Sequence, residues 1–192
     1  SFVSSSAVGW YGTITSDQIY TEQDYNADDY LGQLCVQWEA KADQFVNLGC
    51  KVSKVRTGIV LSSEGGALPK MMWPIACCLG AALGSGKQFI PWIHIDDLCA
   101  IYANLINEHI PSGVYNGVAP EIITNNDFTC IIAEVLNKPL WLPNIPAWVL
   151  KTIFGKMSSI FLNGSRISST KLIQSGFQFK YSSIRSVINN LI

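Results

Sequence analysis

Residues 88–98 read QFIPWIHIDDL. Ile93 and Ile95 alternate with His94, the period of a half-buried strand. Two aspartates follow. After them, apolar residues fall at Leu98, Ile101, Tyr102, Leu105 and Ile106, the stripe of one helical face. Asp96 is placed to cap that helix. A short strand that stops at a carboxylate and turns into a helix is an α/β junction, with His94 as a satisfied core residue.

The flanking sequence repeats this grammar. Phe2-Val3 ends a buried strand that runs into Ser4-Ser5-Ser6. Asp28 or Asp29 caps a helix that reaches about Leu48, with Leu31, Leu34, Cys35, Trp38, Ala42 and Phe45 on one face and Gly49 at its end. Lys51–Leu61 is a β-branched strand that runs into Thr57-Gly58, and a helix starts near Pro69. Gly113–Gly117 is another strand, and Thr124 or Asn125 caps the helix after it. Past Pro143 the pattern predicts helices over 146–154, 166–175 and 182–192, with short strands at 140–142 and 177–181. Strands alternating with helices indicate an α/β fold.

Apolar residues make up 48% of the 192 and charged residues 14%, enough for a sizeable core. The net charge of −1 gives no electrostatic reason to expect nucleic acid or an anionic membrane. No apolar run reaches the roughly 18 residues of a spanning helix, since Met71–Leu83 is broken by Pro74 and Gly80. Six cysteines form no CxxC pair and only His94 and His109 are present, so no metal site is expected. Buried free thiols suit a reducing compartment, and the expected location is cytoplasmic, with mitochondria left open. The sequon at Asn163 has the standing of chance.

In open α/β sheets, ligands bind beyond the carboxyl ends of the strands. Ser4–Gly12, Arg56–Val60 and His94–Asp97 put small or polar residues at such ends, and Asn116–Pro120 is a fourth segment of this kind. A hydroxyl there can orient a substrate for proton or hydride transfer. Gly58 after a strand would let a ligand approach the backbone, or simply make a turn. Gly65-Gly66 and Gly84-x-Gly86-Lys87 match neither GxxxxGK[ST] nor GxGxxG. There is no Gly-x-Ser-x-Gly elbow.

Taken together, FVSSSAVGWYG and PWIHIDDL resemble the Ser-rich strand and the His-x-Asp-Asp stretch of the extended short-chain dehydrogenases/reductases, the NAD-dependent epimerase/dehydratase group. VRTGIVLSSEGGALPKMM, LGSGKQFIPWIHIDDL and the pairing of NGVAP with TNNDF are similar to its atypical branch of epimerase family proteins, family 39U. The resemblance runs from about Phe2 to Tyr181. It implies the C-terminal part of a Rossmann-like doubly wound parallel sheet over 1–142, with substrate-cap segments interleaved at about 62–92. Residues 143–192 would form a small α/β cap of the DUF1731 type. The family's GxxGxxG loop has no counterpart here, so the chain reads as N-terminally truncated by roughly a hundred residues.

The resemblance also implies the site. NADP, or NAD, would lie along Ser4, Ser5, Leu31, Arg56, Thr57, Gly58 and Val60. A small-molecule substrate would sit against Met72, Trp73, Gln88 and Trp92, with a homodimer allowed and no membrane partner. Ser6 matches the family's catalytic serine. The Tyr-x-x-x-Lys pair is replaced by Cys35 and Glu39, and no tyrosine in the chain has a lysine four residues on. Tyr11 is the substitute proton donor, while Trp38-Glu39 reads as a core tryptophan beside a solvated carboxylate. Two functions follow. One is an NADP-dependent oxidoreductase or nucleotide-sugar epimerase-like protein. The other is a non-catalytic NAD(P)-binding sensor or scaffold.

Overall fold

The computed structural model describes residues 1–192 apart from the side chain of Lys156. The elements run β1 (Phe2–Ala7), β2 (Ile19–Tyr20), α1 (Tyr30–Asp43), β3 (Val52–Thr57), β4 (Ile59–Leu61), α2 (Ala67–Ala76), β5 (Trp92–His94), α3 (Ile95–Ile106), β6 (Val114–Gly117), α4 (Asn125–Val135), α5 (Ala147–Phe154), α6 (Ser158–Leu162), β7 (Arg166–Ile167), α7 (Thr170–Gln174) and α8 (Ile184–Leu191). Single 3-10 turns occupy Val8–Tyr11, Gln44–Leu48 and Gly155–Met157.

A three-stranded parallel sheet in the order β1-β3-β6 carries the fold. Each strand-to-strand passage crosses through helices, as parallel pairing requires. The helices fall on opposite faces. Val55 packs with Ile101 and Leu105 of α3, whereas the next residue, Arg56, turns toward α1. A sheet covered on both sides in this way is the doubly wound architecture. Ile101, Leu105 and Val55 are fully or nearly fully buried, worth roughly 1.5–3 kcal/mol each.

The strand expected over 51–61 breaks at Gly58. Its first part pairs with β1 and β6, and its second part, β4, pairs with β5 in a separate two-stranded sheet. A Cβ on Gly58 would stand 2.4 Å from the Pro91 carbonyl oxygen and 2.9 Å from Val118 Cγ1. Only glycine lets the two sheets come this close, because any side chain would collide with backbone there.

The junction after β5 corrects the expected cap. His94, not Asp96, is the N-cap of α3, and its Nδ1 accepts the Asp96 N–H at 3.0 Å. Asp96 and Asp97 lie in the first turn, where the helix dipole favours them. Ile106 is exposed where the expected stripe placed it inside. His94 is 2% exposed and stacks on Tyr181 with centroids 3.8 Å apart, but its Nε2 has no partner among the described residues. It is a core histidine that is only half satisfied.

Three C-terminal expectations change as well. Residues 140–142 form no strand, and 166–175 divides into β7 and α7. Residues 177–181 do not join a sheet. Their backbone is held instead by Asp97, whose carboxylate accepts the N–H of Lys180 and of Tyr181, each at 2.9 Å. A side chain here replaces the ladder a strand would need.

Candidate functional site

Parallel register sets Ser6 beside Arg56 and Arg56 beside Asn116. All three therefore point from one face of the sheet. α1 crosses that face, started by Asp29, which accepts the N–H of Gly32. Its buried residues are Gly32, Cys35, Glu39 and Ala42, a 3-4-3 spacing that aims one stripe at the sheet.

Glu39 is thus 4% exposed, and Trp38 is 56% exposed. This reverses the expected core tryptophan and solvated carboxylate. The carboxylate is tolerated because Arg56 meets it twice, Nε to Oε1 at 2.8 Å and NH2 to Oε2 at 3.1 Å. A buried charge without such a partner would be costly. Ser6 Oγ donates to Glu39 Oε1 at 2.8 Å. The Arg56 guanidinium lies 3.6 Å from the centroid of the Trp10 ring.

Tyr11 closes the assembly from the 3-10 turn above. Its hydroxyl donates to Asn116 Oδ1 at 2.7 Å and accepts from Arg56 NH1 at 3.1 Å. Asn116 Nδ2 in turn donates to the Ser168 carbonyl. Burial pushes the Tyr11 phenol up to about 12, outweighing the pull of Arg56 in the other direction. Burial also works against the charge on Arg56, yet its bonds to Glu39 and Tyr11 hold it above its ordinary value. The phenol therefore stays protonated near neutral pH and its proton is already engaged. Burial likewise raises the Cys35 thiol, which donates to the Ala7 carbonyl.

The structure thus brings Ser6, Tyr11 and Arg56 together and adds Glu39, Asn116 and Trp10. Glu39 could have been found from the Gly32, Cys35, Glu39, Ala42 spacing, in which one acid occupies a stripe of small residues. Above the assembly, Ala7, Thr57 and Gly117 align at the carboxyl ends of β1, β3 and β6. Ser5 and Ala7 are exposed there and Thr57 is half-buried. Ser4 Oγ turns to the Ser5 carbonyl, and Thr57 Oγ1 turns to the Val55 carbonyl. Leu31 lies against Gly9, and Val60 packs with the α3 cluster.

The Asp96 turn does not share this rim, since β5 pairs with β4 and not with the three-stranded sheet. The other expected residues lie on that second unit. Met72 is half-buried and Trp73 exposed. Gln88 Nε2 donates to the Leu83 and Phe161 carbonyls. Gln88 Oε1 and Trp92 Nε1 are buried without a partner among the described residues. The described residues hold no cluster of three metal-ligating groups and no helix long and apolar enough to cross a membrane.

These features have relatives. Residues 145–191 match the domain of unknown function DUF1731. The chain is 33% identical over 190 residues to the chloroplastic SDR39U1 homologue, an epimerase family protein of Arabidopsis thaliana, covering 99% of this chain and 54% of that protein. An epimerase family protein of Staphylococcus aureus is 39% identical over 166 residues, 85% of this chain and 54% of its own length. A solved structure, human epimerase family protein SDR39U1 (isoform 2) with NADPH, superposes with a TM-score of 0.88 at 31% identity, over 98% of this chain and 64% of that one. Over nearly its whole length the chain is similar to epimerase family proteins of the SDR39U1 kind. It spans about half the length of the curated relatives it matches.

Proposed function

We propose that this chain forms the nicotinamide side and the substrate cap of an NADP(H)-dependent oxidoreductase or epimerase-like protein acting on a small molecule. The observation that carries this is the common rim of Ala7, Thr57 and Gly117 at three parallel carboxyl ends, next to a buried polar layer. The small or exposed residues there, with Ser5, fit a flat uncharged ring. Arg56 does not fit a phosphate, because its guanidinium is taken by Glu39, Tyr11 and Trp10. Its part is to shape the floor of the site. The human relative with NADPH supports NADP(H) over NAD(H). When bound, the dinucleotide supplies or accepts hydride, and Ser6 beside the rim orients the reacting group. The unpartnered Gln88 Oε1 and Trp92 Nε1 support a polar substrate group against the cap. Leu34 and Trp38, exposed on α1, are where a homodimer would form. Six free thiols support a reducing compartment, the cytoplasm or an organelle.

A second reading, binding without turnover, draws on a different observation. The hydroxyls of Ser6 and Tyr11 both donate within the buried layer, so neither proton is free for a substrate. Titrating NADPH and NADH into the full-length protein, then following NADPH oxidation with sugar nucleotides, quinones and small carbonyls, separates the two. Turnover that Ser6→Ala removes supports the first reading. Binding with no turnover on any of them supports the second. No binding of either nucleotide sinks both.

A further inference from the structure

Charge is distributed unevenly along this chain. None of its fourteen Asp and Glu residues follows residue 134, yet seven of its thirteen Lys and Arg residues do. The net charge of −1 conceals a basic C-terminal part attached to an acidic remainder. The same part carries a cluster of exposed large apolar side chains. On α5, α6 and the turn between them, Trp148 is 69% exposed and Ile153 67%, and Phe154, Met157 and Ile160 are also exposed. This surface is held in shape. Phe154 and Phe161 keep the two helices together at 5.1 Å, Leu150 is buried beneath, and Ile145 bonds to Ala82 and Gly84 at the entrance to α5. Lys151 stands exposed between Trp148 and Phe154, and Lys138 lies close to the exposed Trp141 in sequence. Neither lysine has an ion pair among the described residues, whereas Lys180 and Arg185 are paired to Asp96 and Glu134.

We propose that α5 and α6 dock this protein onto an anionic membrane surface. Clustered Trp, Ile, Phe and Met side chains around the unpaired Lys151 match an interfacial element, with apolar groups entering the headgroup boundary and the cation staying at its surface. At eight residues, α5 is about 12 Å long, far too short to span a bilayer, so it lies in the surface plane. A second copy of the chain fits less well, because an isologous contact would set one basic face against another. Nucleic acid fits less well because the exposed surface is dominated by large apolar side chains, which enter a headgroup boundary but not a phosphate backbone.

Flotation of the full-length protein with vesicles tests this directly. Vesicles of phosphatidylcholine with about 30% phosphatidylglycerol are compared with phosphatidylcholine alone. The protein is expected to float with the anionic vesicles only, and Trp148→Ser with Ile153→Ser lowers partitioning about tenfold or more. Lys151→Glu weakens binding to anionic vesicles, and added salt weakens it further. An unchanged urea midpoint confirms that the variants remain folded. No flotation, equal flotation with neutral vesicles, or binding indifferent to these substitutions overturns the proposal. So does a dimer in sedimentation velocity that Trp148→Ser/Ile153→Ser dissolves, since the patch would then belong to a second copy.

Discussion

Arg56 on β3 and Glu39 on α1 form a two-point ion pair in the layer between sheet and helix, with Nε–Oε1 at 2.8 Å and NH2–Oε2 at 3.1 Å. Both partners are almost wholly buried, so the pair holds α1 in one register on the sheet. Removing one partner strands the other charge in the interior. Glu39→Gln and Arg56→Met are each expected to cost about 3–5 kcal/mol in urea unfolding, and the double substitution less than their sum. Glu39→Lys sets two cations face to face and should cost more than Glu39→Gln. A tolerated Glu39→Lys would show that Arg56 can turn away.

Tyr11 gives the fold an alkaline limit. An unfolded tyrosine titrates near 10, whereas this buried phenol holds its proton up to about 12. Between those values the unfolded chain loses the proton first, so stability is full below pH 10 and falls toward pH 12. Tyr11→Phe removes this titration. The native protein should lose about 2–3 kcal/mol more than Tyr11→Phe between pH 10 and 12 in unfolding measured at both values. Parallel pH profiles would contradict the buried environment.

Gly58 separates packing from ligand approach. The Pro91 carbonyl fills the place of its missing Cβ, so Gly58→Ala should destabilise by about 2–4 kcal/mol, while Gly65→Ala, in open space, changes stability little. If Gly58 served a ligand instead, Gly58→Ala would keep its unfolding midpoint and lose nucleotide affinity.

Much of the fold was legible from periodicity and caps. Asp29 and Thr124 are N-caps, in each case one of the two residues the sequence left open, and β5, α3, β6 and α8 lie where the patterns put them. What failed were places where a distant partner overrides a local pattern. Glu39 looks solvated until Arg56 is seen opposite, and that lets α1 turn the stripe of small residues carrying Glu39 inward and Trp38 outward. FQFKY alternates like a strand, but Asp97, more than eighty residues earlier, takes its N–H groups. His94 caps α3 through a ring nitrogen, a role usually held by Ser, Thr, Asp or Asn.

Asp97 ties the DUF1731 segment to the sheet junction. Its carboxylate accepts two backbone N–H groups at full burial, and charge-assisted bonds of this kind contribute roughly 1.5–3 kcal/mol each. Asp97→Ala should therefore cost about 3 kcal/mol or more and speed amide exchange over residues 180–191 ahead of the three-stranded sheet. Uniform acceleration across the chain would mean that the C-terminal segment does not open as a unit.

The dinucleotide rim is tested most directly by hydrogen–deuterium exchange of the full-length protein with and without NADPH. Segments 7–12, 57–60 and 117–120, which begin at the aligned carboxyl ends of β1, β3 and β6, should gain protection together. Protection confined to the α5–α6 surface, or none in these three segments at saturating NADPH, would contradict it.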